Sequence, residues 1–432
     1  MIKLNKGEVQ EATRDPLTIF REGIKSSSTL KKYERRLKIF LCHTLEDYLI
    51  GDPTLREKQH KEYLESDGGK QLQILDADFP DRVREFVEKT RKDPEWTMNV
   101  MLTYAQKLKE RTRLPKEDPN YLNPQTFPNY FKSQKKLFKM NGVHFEWTRI
   151  NAIFPELDND NETRGYTREE ISKTLEFATP IDRVIILLTS SSGIRRGGLE
   201  FTWDCIKPVY RRKNDLVVGN YDDADDSNLV CGMVDIYKKS AHHYIAFFTP
   251  ETWNAIKNYR LQWMNDTLRS PKPDEPFLKK QGPLIQSLSC DAAANRIYKL
   301  LEKSKVRNQL SNGKRRHDVP VMNGYRRFFN KVNKETFSKD SPLGALIKKE
   351  MMLSHTGLIP LDKNYFQTQW KELVEEYLIA VPNLTIDDTI RLEEENILKE
   401  RKIKELKNDN LRISNLESVV EELAKRLEFK SD

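Results

Sequence analysis

Strand-like patterning is confined to one stretch of this chain, and that confinement limits the fold more than any other feature. LVCGMVDIYKKSAHHYIAFFT, residues 229–249, carries two runs rich in β-branched and aromatic residues around the polar KKSAHH. That arrangement reads as a β-hairpin. On both sides of it apolar residues recur at intervals of three and four. SSSTLKKYERRLKIFLCHTLEDYL offers Ser and Thr as caps, then Leu30, Tyr33, Leu37, Phe40 and Leu41 at helical spacing. Residues 17–150 are expected to be mostly helical, and helical patterns resume from about 251 to 380. The expected fold class is therefore mainly α with a small antiparallel β-hairpin or sheet.

Composition marks the divisions. FPELDNDNETRGY, residues 154–166, is polar and acidic with a proline and a glycine, as a linker would be. TREEISKTLEFA follows, with Thr167 as helix cap and Glu170 at the capping-box position. PIDRVIILLTSSSG then reads as a buried helix. YDDADDS lacks the glycine and terminal glutamate of a calcium loop, so it is expected to be a solvated loop. The expected organisation is a helical domain over 1–154, a linker over 155–165, a second domain over 166–388 and a C-terminal helix over 389–432. In that last segment Ile403, Leu406, Asn410 and Ile413 step by three and four. After one discontinuity Leu416, Val420, Leu423 and Leu427 do the same. This is the pattern of a short coiled coil, or of a helix packed on a partner.

With 74 Lys and Arg against 66 Asp and Glu, the net charge of +8 favours an anionic partner, nucleic acid foremost. PNYFKSQKKLFKMNGV, read as one helix, interleaves Tyr130, Phe131, Leu137 and Phe138 with Lys132, Lys135, Lys136 and Lys139. One face packs, and the other offers ammonium groups to phosphates or is a solvated lysine face. Cys42, Cys205, Cys231 and Cys290 lie far apart without a CxxC pair, which argues against a disulfide framework or a zinc site and fits a reducing compartment. His242 and His243 are strand neighbours on opposite faces and make poor joint metal ligands. The first residues carry no apolar core of a signal peptide, and no apolar run of about 18 residues occurs. A soluble cytoplasmic protein, with no membrane partner, is expected.

Four segments carry the functional pattern. In SSGIRRGGLEFTW (191–203) an apolar helix ends at Gly193, and Arg195 follows in a glycine-rich turn. Lys238 and Lys239 stand at the hairpin turn. MNGYRRFFNKVN (322–333) places Arg326 at the start of a basic, aromatic helix. LSHTGLIPLDKNYF (353–366) holds His355 and, ten positions on, Tyr365 in a polar setting. In this order the segments resemble the boxes of the tyrosine recombinases, the phage-type and archaeal integrases. SSGIRR is similar to that family's TG(L/M)R box, NGYRRFF to its HGFRKFF-type box, and LSH to its LGH box. QWKELVEEYLIAVPNLTI is particularly like the archaeal members, and TLKKYERRLKIF resembles their helical core-binding domain. The resemblance covers roughly residues 15–390.

What the resemblance implies is a site-specific recombinase of a virus or mobile element, in a prokaryotic or archaeal host and nucleoid-associated. It would break and rejoin double-stranded DNA at specific sites as a homo-tetramer. Tyr365 would be the nucleophile, Arg195 and Arg326 the phosphate clamp, Lys239 the general acid, and His355 a phosphate or proton-transfer partner. Neither a metal nor another cofactor is required, because the phosphotyrosine linkage holds the bond energy. Arg327 and Lys238, with the four lysines above, would contact DNA. Arg196 remains an alternative to Arg195, and Lys238 to Lys239. The family usually has His or Lys where this chain has Asn323, whose amide can hydrogen-bond a phosphate oxygen but cannot exchange a proton at neutral pH. Two other functions stay open: a type IB topoisomerase-like enzyme, and a DNA-binding, dimerising protein without catalysis.

Overall fold

The computed structural model describes residues 15–44, 74, 76–115, 118, 120–156, 163–213, 215–221, 226–240, 242–310, 317–336, 342–355 and 369–428. They divide into two compact units, one within Met1–Asn161 and the other from Glu162 onward.

The first unit is helical: α1 (Pro16–Glu22), α2 (Ser27–Thr44), α3 (Phe79–Lys92), α4 (Pro94–Thr112), a 3₁₀ turn (Pro124–Tyr130), α5 (Lys132–Met140) and α6 (Trp147–Ala152). The apolar stripe of α2 turns inward, with Leu37, Phe40 and Leu41 fully buried. Phe40 meets Phe86 of α3 and Tyr104 of α4 edge-on, at 5.5 and 5.1 Å between ring centroids. Phe86 in turn stacks on Phe138 of α5 at 5.8 Å. Each such ring contributes about 1.5–3 kcal/mol by leaving water. The single helix expected over 128–143 is broken in two. Pro128 sits inside the 3₁₀ turn and Phe131 is the residue at which α5 begins. Proline has no amide hydrogen to give, and its ring turns the preceding residue away from helical geometry.

The second unit contains α7 (Arg168–Leu175), α8 (Pro180–Ser192), strands β1 (Ile206–Arg212), β2 (Asp215–Val218), β3 (Leu229–Ile236) and β4 (Tyr244–Phe248), then α9 (Pro250–Thr267), α10 (Cys290–Ser304), α11 (Asn323–Glu335), α12 (Pro342–Met352), α13 (Trp370–Leu378), the short α14 (Val381–Leu384) and α15 (Asp388–Glu428). Thr167 and Glu170 cap α7 reciprocally, as their spacing implies. Val184, Ile185, Ile186 and Leu188 of α8 are all fully buried, so this helix is apolar all round and forms the centre of the unit. It packs on α9, α10, α11 and β4. Tyr377 of α13 donates to its Ser191 carbonyl at 2.8 Å.

The sheet has the order β2-β1-β3-β4 and is antiparallel throughout. Residues 229–249 supply β3 and β4, with Met233 opposite Phe247. Gly232 faces Phe248, and a Cβ there would come within 2.0 Å of that ring. The sheet is larger than the hairpin that the sequence pattern marks, because β1 and β2 extend it. β1 contains Pro208 and β2 has only four residues, so neither presents a clean alternating run. Of YDDADDS, residues 222–225 lie outside the described residues. α15 runs unbroken through the discontinuity in its apolar spacing. Among the described residues no helix is long and apolar enough to cross a membrane.

Candidate functional site

The site is built around the end of α8. The helix stops at Gly193, whose φ of 63° lies in the left-handed region open to glycine. A Cβ at this position would also fall 2.2 Å from Cδ1 of Phe329, so the turn can approach α11 only because residue 193 has no side chain. Arg326, in the first turn of α11, uses that approach. It is buried, with 9% of its surface exposed, and donates to the Gly193 carbonyl and, at 2.7 Å, to the Leu353 carbonyl. Its Nη2 also lies 2.9 Å from Nε2 of His355.

A guanidinium has donors only, so Nε2 of His355 accepts and the ring proton belongs on Nδ1. Nδ1 then donates to Oε2 of Glu350 at 2.6 Å. The chain reverses just after α12: Ser354 has a φ of 55°, and the His355 amide donates to the Glu350 carbonyl at 2.9 Å. This turn returns the imidazole to its own helix. Lys334 of α11 pairs with Glu350 at 3.1 Å. Burial pushes the Glu350 carboxyl upward, but the hydrogen bond from His355 and the bond and charge of Lys334 outweigh it and hold the group below its ordinary value.

Beside this cluster, in which Arg326 is buried while His355 and Lys334 are exposed, lies an open cleft lined by Arg195, Arg196, Gly197, Tyr298 and Asn323, among others. Arg195 is exposed at the head of a 3₁₀ turn (Arg196–Leu199). Burial, and then the like charge of Arg195, lower the Arg326 guanidinium to about 10. The two arginines therefore share one electrostatic site. Arg196 pairs with Asp291 at 3.1 Å. Asn323, exposed at the first position of α11, completes the cleft.

At the β3–β4 tip the two lysines differ. Lys238 is tied to Asp204 by a 2.5 Å ion pair, which raises its ammonium pKa. Lys239 is exposed and has a φ of 64°, a costly conformation for a side chain larger than hydrogen. Among the described residues its ammonium makes no ion pair.

Arg327 turns away from Arg326 and bonds the carbonyl and hydroxyl of Thr163, the latter at 2.6 Å. The α5 lysines belong to the first unit: Lys132 and Lys139 are exposed, while Lys135 and Lys136 are half-buried. Lys135 stands 4.9 Å over the Trp147 ring and reaches Asn151 at 3.3 Å. Tyr365 lies outside the described residues.

Two residues of the site escape sequence reasoning. Glu350 precedes His355 by five positions, a spacing that meets only because the backbone reverses after α12. Tyr244, at the start of β4, lies beside both arginines. Burial pushes its phenol upward against the pull of the Arg326 and Arg195 charges. Its position directly after the KKSAHH turn was the one available signal.

No family model matches the chain, and no curated protein matches it. Solved structures give faint likenesses. The site-specific recombinase XerH bound to palindromic difH substrate, a post-cleavage complex, is 12% identical with a TM-score of 0.41, covering 84% of this chain and 96% of that one. The pre-cleavage complex of XerH with difH is 12% identical with a TM-score of 0.36, covering 84% and 95%. The XerA recombinase is 14% identical with a TM-score of 0.30, covering 83% and 96%.

Proposed function

We propose that this chain is a tyrosine recombinase, which breaks and rejoins DNA at specific sites through a 3′-phosphotyrosine. The observation that carries the reading is the buried Arg326, held between the turn after α8 and His355, with Arg195 at its side. These residues come from segments some 160 positions apart at the extremes (Gly193 to His355), and two cations with an imidazole suit a phosphodiester that gains charge as it is attacked.

In this reaction the Tyr365 phenol releases its proton to water as its oxygen attacks phosphorus, and the bond to the 5′-oxygen breaks. Arg195 and Arg326 bind the non-bridging oxygens. Lys239, exposed at the hairpin tip, delivers a proton to the leaving 5′-oxygen, and a free 5′-hydroxyl results. His355 holds Arg326 through Nε2 and Glu350 through Nδ1, so to bond the phosphate or assist proton transfer its Nε2 would have to release Arg326. Asn323 adds an amide contact without exchanging a proton. Attack by a 5′-hydroxyl reverses the step and restores DNA. The lysines of α5, with Lys238 and Arg327, would serve backbone contact. A tetramer on paired sites would exchange the strands.

The test is a suicide-substrate assay without added metal. Libraries of nicked duplex are incubated with the full chain and with Tyr365→Phe, then run on a denaturing gel. A protein–DNA adduct in the wild type alone supports the proposal. Sequence-specific binding with no adduct in either protein sinks it, and makes Asn323 the first residue to restore to histidine. Relaxation of supercoiled DNA with no strand exchange between duplexes indicates a topoisomerase-like task instead.

A further inference from the structure

The distal half of α15 carries apolar side chains that its own chain leaves in water. Ile403, Ile413, Leu416 and Val420 are 51, 52, 64 and 63% exposed. Together with Leu406, Asn410, Leu423 and Leu427 their positions step by 3, 4, 3, 3, 4, 3 and 4 residues along one continuous helix. The mean step is below 3.6, so the stripe stays on one side only if helices wind around each other left-handedly. The two successive threes at Asn410–Ile413–Leu416 are a stammer, which tightens the winding locally without moving the stripe off the seam.

The residue types then choose the partner. From Ile413 onward β-branched Ile413 and Val420 alternate with Leu416 and Leu423. In a parallel coiled coil, β-branched residues at the a positions with leucine at d favour two strands. Asn410 takes the a position of the preceding heptad, where a single polar residue fixes register and strand number. In that register Arg412 of one helix stands at g, opposite Glu417 at e of the other, so the flanking charges are complementary. Leu411, also exposed, lies off the stripe.

The root of the helix is fixed to its own unit. The Glu251 carboxylate accepts from the Ile386 and Asp387 amides at 2.8 and 3.1 Å, and Thr385 donates to Glu394 at 2.5 Å. A seam suited to its own copy therefore projects from an anchored base.

We propose that α15 pairs with α15 of a second copy of this chain, as a parallel, in-register, two-stranded coiled coil over Ile403–Leu427. The inference does not rest on the reading of the site. It is tested on the full chain without DNA, by sedimentation equilibrium. Twice the 50.8 kDa chain mass is expected. Leu416→Asp with Val420→Asp should return the mass to one chain, with the helical circular dichroism of the folded units retained. Leu406→Cys, in a Cys290→Ser background that removes the half-buried native thiol, should cross-link to itself on oxidation. A wild-type mass of one chain at high micromolar concentration overturns the proposal. So does a dimer that survives the double substitution, or one in which Leu406→Cys fails to cross-link, since an antiparallel pair would set residue 406 near the far end of its partner.

Discussion

Two arginines meet at this site in opposite circumstances. Arg326 is buried, and three of its N–H groups are spent on the Gly193 carbonyl, the Leu353 carbonyl and His355. Arg195 is exposed on the cleft, at the head of a 3₁₀ turn. The first is oriented before any ligand arrives, because the protein supplies the acceptors that hold the fork in place. The second has its orientation left to a ligand. A charge fixed in this way costs no reorganisation when it acts, whereas a rim charge draws the ligand in and is ordered by it. Under the proposed function, Arg326 would therefore serve fold and function together, and Arg195 function alone.

The sharpest way to break that contrast is to remove each arginine in turn. Arg326→Ala strands two backbone carbonyls and the imidazole, and should destabilise the second unit by roughly 2–4 kcal/mol as well as abolish cleavage. Arg326→Lys restores the charge but not the planar fork, so most of the loss should remain. Urea midpoints read the stability, and adduct formation reads the activity. An unchanged midpoint in Arg326→Ala would mean the buried cluster does not hold the fold. Arg195→Ala should leave stability within about 0.5 kcal/mol, as exposed substitutions do. Its cleavage rate should still fall by roughly 10²–10³. If Arg195→Ala lowers the midpoint as far as Arg326→Ala does, the two residues are not different in kind.

The same contrast explains what could be read from the sequence. The helix stop at Gly193 and the NGYRRFF helix were legible because local geometry dictates them, whereas Arg195 and Arg326 were singled out only by the resemblance of their segments to known boxes. α8 was legible from its unbroken apolar run, and the β3–β4 hairpin from its two strand-like runs. The supports were not. Glu350 reaches His355 only through a backbone reversal at Ser354, and β1 and β2 join the sheet through partners distant in sequence despite Pro208 and a four-residue length. Residues fixed by their neighbours in the chain show in the sequence, and those fixed by tertiary contact do not. The α5 helix failed for a local reason, since Pro128 was counted as helical.

A smaller effect distinguishes the two lysines at the hairpin tip. Lys238 is bound to Asp204, while Lys239 is exposed on a strained backbone. Lys239→Ala should slow cleavage by about 10² if it is the general acid, and Lys238→Ala should have little effect. A substrate whose leaving 5′-oxygen is replaced by sulfur needs no protonation, so the defect of Lys239→Ala should vanish on it. A defect of equal size on both substrates would make Lys239 a contact to DNA and nothing more. A loss confined to Lys238→Ala would reverse the assignment and give the acid to the ion-paired lysine.

The smallest effect probes the Glu350–His355 pair that links the buried Arg326 to the surface. Glu350 orients His355 and is held below its ordinary pKa. A carboxyl depressed by folding contributes stability that is fully present above its unfolded pKa and is lost as pH falls through the lower, folded value. Wild-type urea midpoints should therefore drop on the acid side, from the ordinary carboxylate range downward. Glu350→Gln keeps an oxygen that can accept from Nδ1 but removes the charge. It should cost roughly 1.5 kcal/mol, or about tenfold in cleavage if the imidazole acts in the reaction. Its midpoint should lack the share of the acid-side drop that belongs to this group. Parallel pH curves for the two proteins would remove Glu350 from the network that fixes His355. A flattened curve with unchanged cleavage would keep Glu350 in the fold and leave the orientation of His355 to the Arg326 fork.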